Sequence, residues 1–216
     1  MKLFLTSAGI ASEIAPDFLR LADKKPQDMK MVFIPTAANP ELDRWYLDKD
    51  KINLSQLGIV SIDEVDIEKE RKESLSKKIN NADIIYVEGG NTFYLLKYVR
   101  ACGFNDLVNQ FLERGGIYVG VSAGSIIAGL NIETAGWKHA DNNIVGLHDL
   151  TSMGLVPFAI TPHYCAEVSD AIKEAAAKIS YPVVALTDSQ AVIVNGNLTK
   201  IIGPGEKTIF NNCIGL

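Results

Sequence analysis

The stretch IYVGVSAGSIIAGL, residues 117–130, begins as an apolar β-strand and ends as a small-residue helix. Ser122 stands at the junction, with Gly120 two residues before it and Gly124 two residues after. A serine at such a turn has its hydroxyl lifted clear of the sheet, and flanking glycines relieve the crowding the turn creates. This is how a nucleophile is presented. The G-x-S-x-G pattern is a weak signal alone, so its meaning depends on whether the rest of the chain supplies a base, an orienting acid and an oxyanion hole.

Outward from this turn, short apolar runs alternate with longer amphipathic ones. KLFLTS (2–7), KMVFIPTA (30–37), VSIDEVD (60–66), DIIYVEGG (83–90) and GIYVGVS (116–122) read as strands. Helices are expected near 11–23, 40–58, 68–82, 92–103 and 104–115, with Leu75 and Ile79 facing inward from the charged third one. This βαβα order predicts an α/β fold, a mostly parallel sheet with helices on both faces. After Leu130 the pattern breaks: residues 131–158 are polar and irregular, and a stretch of that kind is often functional. AITPHY (159–164), VVALTD (183–188), AVIVNGNLTKII (191–202) and EKTIFN (206–211) read as further strands around a helix at 166–180, with a hairpin turn signalled at Asn195-Gly196. No repeat or linker interrupts the chain, so a single domain over 1–216 is expected.

The totals narrow the function. The chain has 216 residues, 47% of them hydrophobic, and a net charge of -5. That balance argues against a nucleic-acid surface or an anionic membrane surface. No apolar run approaches the roughly 20 residues of a membrane span. Cys102, Cys165 and Cys213 are odd in number and widely spaced, which fits neither a disulfide framework nor a metal site. A cytoplasmic protein is expected, without metal or cofactor. Oligomeric state is not legible.

In open parallel sheets, ligands bind beyond the carboxyl ends of the strands. Four polar clusters fall at such ends: EGGNT (88–92), VSAGS (121–125), TPHY (161–164) and TDSQ (187–190). Ser122 is the candidate nucleophile and needs a base to take its proton. His163, at a strand end after a proline, is the candidate base, with His139 and His148 in reserve. For the acid that orients the histidine, Asp188 follows a buried strand, while Asp141 and Asp149 lie in the irregular segment. The amide of Ala123 is one candidate oxyanion donor, and the loop at Gly89 and Gly90 a source for the second. An α/β-hydrolase esterase has the order Ser, acid, His, which Asp141 or Asp149 would satisfy, but about fifty residues follow His163 and no HGGG-type loop is present. A catalytically silent binding protein on the same scaffold is the other alternative.

VEGGNTFYLLK (87–97), GVSAGSIIAG (120–129) and TPHY (161–164) together resemble the peptidase E group of serine peptidases, which includes aspartyl dipeptidases and cyanophycinase-like enzymes. The resemblance runs over most of the chain. It implies a class I glutamine amidotransferase-like fold, a short peptide as substrate, Ser122 as nucleophile, His163 as general base, and Gly90 and Ala123 as oxyanion-hole amides. For the acid it implies either the later strand-end position, Asp188, or a position soon after the nucleophile helix, near Asp141; the amidotransferase-like order favours Asp188. Two departures stand out. Glu88 replaces the first glycine of a loop that in the family often reads GGGNT, and the last of the five arginines is Arg114, so no arginine follows the nucleophile. Aspartyl dipeptidases need a cation for the substrate carboxylate, and a weaker preference for acidic residues is expected here.

Overall fold

The computed structural model describes residues 1–137 and 141–211. Its main sheet has seven strands in the order β3-β2-β4-β5-β1-β8-β9. These are β1 (Lys2–Thr6), β2 (Lys30–Ile34), β3 (Ser61–Glu64), β4 (Ile84–Val87), β5 (Ile117–Val121), β8 (Ala191–Asn195) and β9 (Leu198–Ile202). The first five pair in parallel, while β8 and β9 are antiparallel. The 191–202 run folds as the expected hairpin, with Gly196 at φ 61° in a two-residue turn, a backbone that costs glycine little.

Both faces of the sheet are buried, and alternate residues divide between them. Leu3, Leu5, Val32, Ile34, Ile85 and Val87 face one core, shared with Leu75 and Ile79 of α3 (Lys72–Asn80), with α4 (Thr92–Ala101) and with α5 (Phe104–Glu113). Phe4, Met31, Phe33, Ile84, Tyr86, Ile117 and Val119 face the other, against α1 (Ala15–Ala22) and Leu54 of α2 (Trp45–Gln56). Gly103, at φ 66°, separates α4 from α5. The described helices α1 to α5 and the later α7 (Ser169–Ala176) are shorter than their amphipathic runs suggested, because the ends of those runs form turns and, before α7, a 3₁₀ turn over Ala166–Val168.

One expectation needs correcting. The strands after the irregular segment do not all join the main sheet. β6 (Ala159–Thr161) and β7 (Val183–Ala185) pair in parallel, β10 (Thr208–Phe210) adds antiparallel, and the three form a second sheet. Ile160 and Val184 pack into the first core, while Ala159 and Val183 turn toward Ala176 of α7 (Ser169–Ala176). The irregular segment is also less loose than its composition implied. Ile132, Met153, Leu155, Val156 and Phe158 are buried; Ile132 N–H bonds Leu150 O within the segment, and Met153 N–H to Ile127 O and Leu155 N–H to Ala128 O tie it to the end of the helix after Ser122. No helix among the described residues is long and apolar enough to cross a membrane.

Candidate active site

Ser122 closes β5 and precedes α6 (Ala123–Ile126) with φ 46° and ψ −106°, a backbone that costs a non-glycine residue of order 1–3 kcal/mol. The two glycines are required by direct contact. A Cβ at Gly120 would lie 2.6 Å from the carbonyl carbon of Gly124, and one at Gly124 only 2.1 Å from Val87 O. The turn is held from below: Ser122 N–H donates to Thr6 O, and the buried Ser125 hydroxyl is placed at 2.7 Å from Thr6 O and 2.8 Å from Gly120 O.

His163 follows β6 through Pro162 and also has positive φ, 54°. Its Nε2 lies 3.0 Å from Ser122 Oγ, and its Nδ1 lies 2.7 Å from Asp188 Oδ1. Asp188 sits in the turn after β7, which Gln190 braces. That buried amide accepts from Thr187 N–H and donates to the carbonyls of Pro204 and Glu206. Ser7 is the residue sequence reasoning missed. Fully buried at the end of β1, it donates to Asp188 Oδ1 at 2.8 Å and accepts the amide of His163 at 2.7 Å. The available signal was its place at the end of KLFLTS, another strand end on the same edge.

Neither rival acid bonds His163. Asp141 lines the site but makes no hydrogen bond to His163; its Oδ2 accepts Thr92 N–H at 2.7 Å, and burial, partly opposed by that bond, raises its pKa. Asp149 pairs with Arg100 on the surface. His148 is exposed and outside the site, and His139 lies outside the described residues.

The glycine loop meets Ser122 directly: a Cβ at Gly89 would lie 3.2 Å from Ser122 Cβ. Gly90 takes φ 128°, and a Cβ there would strike the Ala37 carbonyl at 2.4 Å. Asn91 N–H bonds Ala37 O, and the Asn91 side chain caps α4 by accepting Tyr94 N–H. Among the described residues, neither the Gly90 nor the Ala123 amide donates to any group. Free donors beside a hydroxyl that faces an imidazole are what an oxyanion site needs.

Around Ser122 the cavity measures about 430 Å³. Its far wall comes from α2, through Trp45, Tyr46, Lys49 and Asp50, and from Glu41, whose carboxylate takes a short bond from the Tyr46 hydroxyl. The irregular segment contributes Asp141 here, and Thr134 and Ala135 to a smaller adjoining recess. Glu88 and Asp50 are buried at the cavity's edge. Burial raises both carboxyls, Glu88 further by the Asp50 charge. No cluster of three or more His, Cys, Asp or Glu among the described residues is placed to hold a metal ion.

A strained serine between a parallel sheet and a short helix, facing a histidine and beside unused amides, is the arrangement of an α/β hydrolytic site. The chain belongs to peptidase family S51, whose model matches residues 3–202. It is 34% identical over 212 residues to an uncharacterized peptidase of Pasteurella multocida, covering 95% of this chain and 99% of that protein. It is 31% identical over 193 residues to peptidase E of Shewanella amazonensis, covering 85% of this chain and 78% of that one. A solved structure from Listeria monocytogenes, assigned to peptidase E, superposes with a TM-score of 0.82 at 27% identity, over 94% of this chain and 98% of that chain. The peptidase E resemblance read from the three motifs is thus the family relationship the whole chain shows.

Proposed function

We propose that the protein is a serine peptidase that hydrolyses short peptides through an acyl-enzyme on Ser122. His163 Nε2 takes the Ser122 proton as Oγ attacks the scissile carbonyl, and the imidazolium returns that proton to the leaving amine. Asp188 holds the proton on Nδ1 and stabilises the imidazolium. The amides of Gly90 and Ala123 receive the oxyanion. Water then enters, is deprotonated by His163, and releases the acyl group.

The observation that carries this reading is the run of contacts from Ser122 Oγ to His163, 3.0 Å, and from His163 to Asp188, 2.7 Å, beside two unused amides. Family membership supports a peptidase, and a cavity of about 430 Å³ suits a short peptide better than a folded chain. Its lining includes Glu41, Asp50, Glu88, Asp141 and Asp188 against one lysine, Lys49, so an Asp-X preference is not part of the proposal. The test is turnover of a dipeptide library by the wild type and by Ser122→Ala. Hydrolysis lost in the variant supports the reading, and hydrolysis retained refutes it.

A further inference from the structure

Glu88 stands in place of the first glycine of the GGGNT loop that peptidase E proteins often have. Its Oε2 accepts the amide of the next residue, Gly89, at 2.9 Å. That bond divides the loop's donors. Gly89 N–H is held by Glu88, Asn91 N–H by Ala37 O and Thr92 N–H by Asp141, so Gly90 N–H alone of this run is left free. Two successive glycines can rotate the peptide between them at little cost. A carboxylate fixing the first amide therefore sets the direction of the second.

The other oxygen of the same carboxyl, Oε1, is buried and meets no N–H or hydroxyl donor among the described residues. The carboxyl of Asp50 is its ionisable neighbour. Asp50 is held in place by the Tyr86 hydroxyl, which donates to Oδ2 at 2.6 Å, and by Gly9, where a Cβ would come within 2.5 Å of that oxygen. Glu88 is 1% exposed and Asp50 6%. The other titratable groups facing the pair are Tyr86 from β4 and Tyr46, Lys49 and Lys51 from α2. Neither lysine is inserted between the carboxyls: Lys51 pairs with Asp48 and Glu64, and the exposed Lys49 lies over Trp45. Two adjacent buried carboxyls without a cation between them retain a proton.

We propose that Glu88 is a positioning residue: holding one proton in common with Asp50, it clamps the Gly89 amide and keeps the Gly90 amide aimed at the oxyanion. This rests on the reading of Ser122 as nucleophile. When the common proton leaves as pH rises, two charges face each other, Glu88 turns toward the cavity, and the clamp on Gly89 is released. Activity then falls although Ser122, His163 and Asp188 are intact.

The test is the pH profile of kcat on the library's best dipeptide for wild type, E88A, E88Q and D50N. E88A loses the clamp, and kcat falls by about 10- to 100-fold, a part of the loss that follows removal of an oxyanion donor. E88Q still accepts from Gly89 and now donates to Asp50 without a titrating proton, so it recovers most of that loss. The wild type shows a fall in kcat with rising pH that both E88Q and D50N lack. Wild-type kcat in E88A, or an unchanged fall with rising pH in both amide variants, overturns the proposal. Should E88A fail to fold, the two amide profiles decide alone. Labelling of wild-type Ser122 by a fluorophosphonate separates the two readings. An unlabelled Ser122 overturns both, whereas a labelled Ser122 with wild-type profiles in the variants overturns only the role of Glu88.

Discussion

Asp188 Oδ1 lies 2.7 Å from His163 Nδ1, and the two residues follow neighbouring parallel strands of the small sheet, not strands of the sheet that carries Ser122. The proposed base and acid are thus set against each other by one local pairing, and Ser122 is brought to them by packing between the sheets. Replacing Asp188 by Asn keeps the shape but favours the wrong tautomer. The expected loss in kcat is on the order of 10²-fold, below the roughly 10⁴-fold of the serine-protease example, because water reaches this acid. Asp141→Asn should cost far less, since an amide oxygen still accepts Thr92 N–H. Steady-state kcat of the two variants, with thermal melting as the control for folding, checks the order; a crippled Asp141→Asn beside an active Asp188→Asn would reverse the assignment.

Gly90→Ala tests the oxyanion loop. The added methyl meets the Ala37 backbone and the φ of 128° is strained for any side chain. Either the loop moves, with kcat falling about 10²- to 10³-fold as when an oxyanion donor is lost, or the fold weakens by about 1–3 kcal/mol. Urea melts and kcat on the same preparation distinguish these outcomes, and wild-type values in both would contradict the described packing.

Stability should decline with pH because of Glu88 and Asp50. Burial raises both carboxyls in the folded state, and the Asp50 charge raises Glu88 further. The folded protein therefore binds more protons than the unfolded chain once pH passes the ordinary carboxylate range. The pair's contribution to stability is fully present below that range and is lost as pH rises through the folded pKa values. The melting temperature of E88Q should fall less over this window than that of the wild type; parallel curves would show that the pair does not titrate as described.

Substrate charge is the fourth expectation. With five acidic side chains and one lysine among the described lining residues, dipeptides beginning with Asp should not exceed Ala-X in kcat/KM. Several-hundredfold preference for Asp would require a cation besides Lys49, and the described lining holds no second one. Lys138, a candidate on sequence grounds, lies outside the described residues, and Lys173 of α7 is not in the lining.

Much of this was legible in the residues because local chemistry demanded it. Gly120 and Gly124 can be nothing larger where the turn passes Val87, and the alternation of Leu3, Phe4 and Leu5 marks a strand buried on both faces. Ser122, His163 and Asp188 each follow a strand, and the structure brings them together. What was not legible depends on packing at a distance. Ser7 is unremarkable until β1 is set beside the small sheet, and nothing in α2's sequence says that Trp45, Tyr46 and Asp50 wall the cavity. The division into two sheets was hidden because a three-residue strand such as Val183–Ala185 reads the same in either.

The central claim is that Ser122 forms the acyl bond, and the most direct measurement is mass spectrometry of the protein after reaction with a fluorophosphonate, with dipeptide hydrolysis followed on the same samples. One adduct on the peptide containing Ser122, hydrolysis lost in proportion to labelling, and no adduct in Ser122→Ala are the predicted results. An adduct on another residue, or full hydrolysis by the labelled protein or by Ser122→Ala, would contradict the account.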